Sequence, residues 1–213
     1  MKHFMKFYRN LPVFLIAIVL SSSFLISCDK DDDNDTEELP TLSQEEKDMI
    51  LKMREEEKLA RDVYQFLYDK YPSLTIFANI TSSEQVHMDR VLTLIEKYSL
   101  TDPALPNPGE FSDEELQNLY DQLTAAGEVS EVEALKVGAT IEDLDIFDLE
   151  DCMSRTDNPD ILNVFENLDC GSRNHMRAFI SNLSLLNETY TPQFISPEEF
   201  EAIISTPRER CNF

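Results

Sequence analysis

The chain has 213 residues, 18 of them basic and 42 acidic, with a formal charge of −24 at pH 7. So negative a surface repels polyanions, which argues against DNA or RNA as a partner. Only four glycines occur, and apolar residues recur at helical spacing, so an all-α fold is expected.

The chain opens with Lys2, Lys6 and Arg9, followed by an uncharged apolar run from Leu11 to Leu20 and then Leu25-Ile26-Ser27-Cys28. This is the layout of a secretory signal over residues 1–27, and its end resembles a lipobox in which Cys28 is lipidated and becomes the new first residue. The rival reading, a transmembrane helix, suits the run poorly, because it is short and rich in serine near its end. An exported protein held at the cell envelope by lipid on Cys28 is expected. Residues 28–42 hold the acidic run Asp29 to Glu38, interrupted by Lys30, Asn34 and Thr36. Such a segment cannot bury apolar area and reads as a disordered tether. It also resembles surface-export signals of some outer-membrane lipoproteins. A plain solvated spacer explains it equally well.

A helical bundle is expected over residues 43–190, with a C-terminal tail carrying a short helix over 191–213. Ser43 with Glu46 forms a capping-box pattern, opening a helix that Pro72 ends near Tyr71. A second helix covers about Ile76 to Tyr98. A proline-rich loop follows, then a short helix from Asp113 to Ala126 with Gly127 as its C-cap. A third long helix runs from Ser130 to about Ser154. Asn158-Pro159 opens a fourth, reaching about Leu186. Ser196-Pro197 starts a last short helix. Four long helices with modest connections predict a four-helix bundle. Outside the cytoplasm Cys170 can pair with either Cys152 or Cys211, and the sequence does not choose.

Steps of three and four along each long helix trace its buried seam. The first seam carries Glu57 among Ile50, Met53, Ala60, Tyr64 and Leu67. The second carries Glu84 and His87 among Phe77, Ile80, Val91 and Leu94. The third carries Glu142, and the fourth carries His175. An isolated buried carboxylate costs several kcal/mol, and three near one another also repel. Divalent cations remove that penalty, since carboxylate oxygen and imidazole nitrogen both bind iron and manganese. Glu84-x-x-His87 places both groups on one helix face, as in dimetal carboxylate bundles. The competing account is salt bridging without metal, with Arg61 near Glu57 and Arg173 near His175.

Several blocks extend this pattern: REEEKLARDVY at 54–64, IFANI at 76–80, SEQVHM at 83–88, EALKVGA at 133–139, IEDLDI at 141–146, TDNPDI at 156–161 and GSRNH at 171–175. Over about residues 45–182 the chain resembles the ferritin-like family named domain of unknown function 2202. The resemblance implies a ferritin-like bundle with a di-iron site, and it singles out Glu57 over Glu55 and Glu56. Glu84, His87, Glu142 and His175 match the remaining ligand positions. One position departs, since Ser172 stands where the wider ferritin-like pattern has a second E-x-x-H glutamate. Asp145, one turn after Glu142, is the candidate to compensate. Otherwise the centre holds a single ion, or one tight and one weak.

Two functions follow. One is an oxidative metalloprotein with one or two iron ions, or manganese, acting as a ferroxidase or in peroxide removal. It would need a separate electron-donor partner, and Tyr64 would be either packing or redox-active. The other is a non-enzymatic envelope lipoprotein that binds metal or a partner and has a purely structural polar core.

Overall fold

The computed structural model describes residues 41–212, so the expected signal, the expected lipidation site Cys28 and nearly all of the expected tether lie outside the described residues. These residues form six helices: α1 Gln44–Lys70, α2 Thr75–Lys97, α3 Glu114–Gly127, α4 Glu131–Met153, α5 Pro159–Leu185 and α6 Pro197–Ile204. No strand occurs among them.

The helix starts follow from local chemistry. The Ser43 hydroxyl accepts from the Glu46 amide while the Glu46 carboxylate accepts from the Ser43 amide, a complete capping box. Asp113, Ser130, Asn158 and Ser196 cap α3 to α6 by accepting a backbone N–H on the side-chain oxygen, two of them followed by proline, while α2 starts at Leu74 without a side-chain cap. The Gly127 expectation needs correction. Gly127 is the last residue of α3 and Glu128 is the cap. The glycine packs closely against α1, since a Cβ there would lie 2.5 Å from Leu67 Cδ2 and the leucine end would have to shift. The tail is tied to the helices by polar contacts and a disulfide. Tyr190, Gln193, Phe194 and Ile195 all donate to the buried Asp143 carboxylate, and a Cys170–Cys211 disulfide ties the end of the chain to α5. Cys152 is a buried free thiol. Leu42, inside the expected tether, is buried at the base of α1.

Helix directions can be read from cross-contacts. Tyr64 stacks near Phe77 while Arg54 reaches the Met88 carbonyl, so α1 and α2 are antiparallel. Tyr64 meets Glu142 while Lys52 meets Asp148, so α4 also opposes α1. The connection carrying α3 therefore returns the chain the full length of the fold, making α2 and α4 parallel. It is pinned to α1 by Arg54 on Asp102 and by Lys58, whose ammonium is buried against Asp62, the Asn107 and Glu110 carbonyls and the Phe111 ring.

The interior divides into two apolar clusters. One gathers Tyr64, Leu67, Phe77, Ile80, Leu135 and Phe179. The other gathers Ile50, Met53, Val91, Leu149, Phe165 and Leu168. Glu57, Glu84, His87, Glu142, Ser172 and His175 occupy α1, α2, α4 and α5 at intermediate sequence positions, so a buried polar layer separates the two clusters.

Candidate metal centre

Each seam residue singled out by sequence reaches this layer. Glu57 and His87 are fully buried, Glu84 and Glu142 are 1% exposed, and His175 is 8% exposed. His87 Nδ1 lies 2.7 Å from Glu84 and 3.1 Å from Glu57. His175 Nδ1 lies 2.8 Å from Glu84 and 3.4 Å from Glu142. The two imidazoles stack with ring centroids 5.3 Å apart. Two groups able to hold a metal ion result, Glu57–Glu84–His87 and Glu84–Glu142–His175, with Glu84 common to both. The helical spacing explains this arrangement. Positions 84 and 87 share one face of α2, and Glu84 faces the midline between the two imidazoles.

The arginines of the competing account do not enter the layer. Arg61 bonds Asp62 and Gln85, and Arg173 bonds Asp169 and Glu209. Of the three consecutive glutamates on α1, only Glu57 points inward. Glu56 pairs with Lys52 at 2.9 Å, beside Asp148. Glu55 lies toward Ser112 and Asp113.

The electrostatics are those of carboxylates and imidazoles forced together away from water. Burial pushes the Glu57 carboxyl up to about 7, with His87 opposing. Burial also raises Glu142, against the pull of His175. For Glu84 burial acts in the same direction, but the two imidazoliums outweigh it and hold its carboxyl well below the usual range. His175 loses by burial and gains more from Glu84 and Glu142, reaching about 9. His87 is raised for the same reason, through Glu84 and Glu57. Glu57 Oε1 is buried with no hydrogen-bond partner. An oxygen in that condition has lost its water and gained nothing, a cost a cation would remove.

Two further residues support the layer, of which Ser83 escaped the sequence reading. Ser83 Oγ sits 2.9 Å from His175 Nε2 and fixes the ring so that Nδ1 faces the carboxylates. Its place directly before Glu84, at the edge of the seam, was the available signal. The Tyr64 hydroxyl donates to Glu142 Oε1 at 2.5 Å. A small pocket between α1, α3 and α4 is lined by Leu59, Leu116, Leu123, Ile141 and Phe194 together with Glu56, Asp145 and Asp148.

Residues 46–207 match the family described as an uncharacterized protein domain, DUF2202. An uncharacterized protein of Methanocaldococcus jannaschii is 56% identical over 170 residues, covering 79% of this chain and 91% of that protein. A crystal structure of the same archaeal protein, described as hypothetical, matches with a TM-score of 0.78 over 79% of this chain and 96% of the crystallised one. The extent of both matches shows that the chain belongs to the DUF2202 family.

Proposed function

We propose that this chain is an exported lipoprotein whose helices form a ferritin-like four-helix bundle, and that its polar layer holds one or two iron ions, or manganese, for oxidative chemistry on dioxygen or peroxide. The observation that carries the reading is the pair of carboxylate–imidazole triads sharing Glu84. The single long return between α2 and α4 is the connection that ferritin-like bundles use. The donor set is oxygen and imidazole nitrogen without thiolate, which suits iron and manganese, and Glu57 Oε1 is a buried acceptor in want of a cation.

When bound, the ions would supply the electrons for reducing oxygen or peroxide. The protein's own residues do the rest. Glu57 and His87 bind on one side, Glu142 and His175 on the other, with Glu84 between them. Ser83 orients His175, and Tyr64 holds a proton on the oxygen that faces Glu142. The apolar clusters above and below exclude water. Turnover would draw electrons from a separate donor protein.

The basic start, the apolar run and the Ser27-Cys28 ending support anchoring to the cell envelope through lipid on Cys28. On this reading Cys28→Ser moves the protein from the membrane to the soluble fraction. A variant that stays membrane-bound would remove the anchor from the proposal.

The imidazole–carboxylate contacts also favour a second reading, in which the layer is a structural polar core of a non-enzymatic binding protein. Elemental analysis of the full-length chain, purified after growth with iron and manganese, separates the two. One or two ions per chain, lost in Glu84→Ala with helix content retained, support the metal reading. A folded chain that takes up no ion even after anaerobic ferrous reconstitution leaves the structural core.

A further inference from the structure

The α5 position one turn before His175 belongs to Ser172, which is fully buried and too short to reach an ion between the helices. Its hydroxyl is directed across to α4, where it donates to Asp145 Oδ2 at 2.6 Å. Asp145 lies three residues after Glu142, so both carboxylates leave the same face of α4. Only 8% of Asp145 is exposed. The charges acting on it come from Glu57, Glu142 and Glu84, carboxylates contributed by three different helices.

Chain direction decides which half of the layer Asp145 belongs to. Along α4, Glu142 is level with Tyr64 of α1 and Asp148 is level with Lys52. Asp145 falls between these levels, at the height of Glu57. Of the two triads, the one with Glu142 already takes a ligand from α4, while the Glu57–Glu84–His87 triad takes none. A fourth carboxylate buried among three others is costly without a cation to share. Octahedral iron and manganese also need more than the three donors each triad offers.

We propose that Asp145, presented by the Ser172 hydroxyl, is a further ligand of the centre and serves the ion held by Glu57, Glu84 and His87. This rests on the metal reading above and deepens it. α4 then contributes to both halves of the centre, and α5 supplies one imidazole and a hydroxyl that aims a neighbour's carboxylate.

The test is anaerobic titration of the full-length chain with ferrous or manganous ion, read by calorimetry and by elemental analysis after desalting. Asp145→Asn keeps the side chain's shape but removes its charge. It should weaken one ion at least tenfold, leaving the other and the thermal melt nearly unchanged. Ser172→Ala should weaken the same ion by a smaller factor. Asp145→Ser combined with Ser172→Glu, which moves the carboxylate to α5, should restore it. Wild-type affinity and metal count in both Asp145→Asn and Ser172→Ala would overturn the assignment while leaving the metal reading standing. A wild-type chain that takes up no ion would overturn both. If Asp145→Asn fails to fold, the Ser172→Ala titration and the double substitution decide the matter alone.

Discussion

At the scale of single residues, the polar layer is a store of protons. Glu57 is raised to about 7 from 4.5, and His175 to about 9 from 6.5. Each therefore holds its proton more tightly folded than unfolded. The Glu57 contribution to stability is complete below about pH 4.5 and is lost as pH climbs through about 7. The His175 contribution is complete below about 6.5 and is lost through about 9. Glu84, held below its usual range, acts oppositely and is lost only in acid. The metal-free chain should therefore melt at falling temperatures from pH 6 to pH 9. Ion binding requires the deprotonated forms, so affinity should rise across the same interval. Melting curves after chelation, with metal titrations at pH 6, 7.5 and 9, check both. A metal-free melting temperature that rises with pH would contradict this charge assignment.

At the scale of elements, the helices approach as closely as their small residues allow. Gly138 of α4 lies against the Phe179 ring of α5, and a Cβ there would come within 2.3 Å of Cε1. Phe179 in turn packs at a tilt against Tyr64 and Phe77, so it has little freedom to retreat. Ala is the better helix former, so propensity alone would favour Gly138→Ala by about 1 kcal/mol. Overpacking should win, giving a net loss of about 1–3 kcal/mol. Because the displaced ring abuts the Tyr64 side chain, the Tyr64–Glu142 hydrogen bond should loosen as well. Urea unfolding measures the first effect. A gain in stability would mean that the aromatic trio rearranges freely.

At the scale of the whole molecule, the end of the chain is held by the Cys170–Cys211 bridge and by Arg173 and Arg177 on Glu209. Closing a loop over a separation of 41 residues stabilises by up to about 4 kcal/mol through the unfolded state. Cys211→Ser should lower stability by about that amount or somewhat less, since the arginine contacts remain. Cys152→Ser should leave the disulfide intact, because that thiol is buried elsewhere, and burial raises it to about 11. Mass mapping under non-reducing conditions, paired with denaturant melts, distinguishes the two. A Cys152-containing bridge in the wild type would refute the pairing.

The sequence by itself determined the helices and the five inward-facing ligand types. Capping signals such as Ser43 with Glu46 and Asn158 with Pro159 are local, and the three-four periodicity that placed Glu57, Glu84, His87, Glu142 and His175 is a property of one helix at a time. Where a choice depended on two distant segments, the sequence left it open. It could not decide between Cys152 and Cys211 as the partner of Cys170, nor whether Arg61 and Arg173 turn inward. It misassigned Gly127 as a cap, because the residue it packs against, Leu67, is 60 positions away. Only the tertiary structure showed that one glutamate, Glu84, lies between both imidazoles and that Ser172 donates to Asp145. Those facts depend on the level at which four helices pass one another, and that level is set by the apolar clusters on either side of the layer.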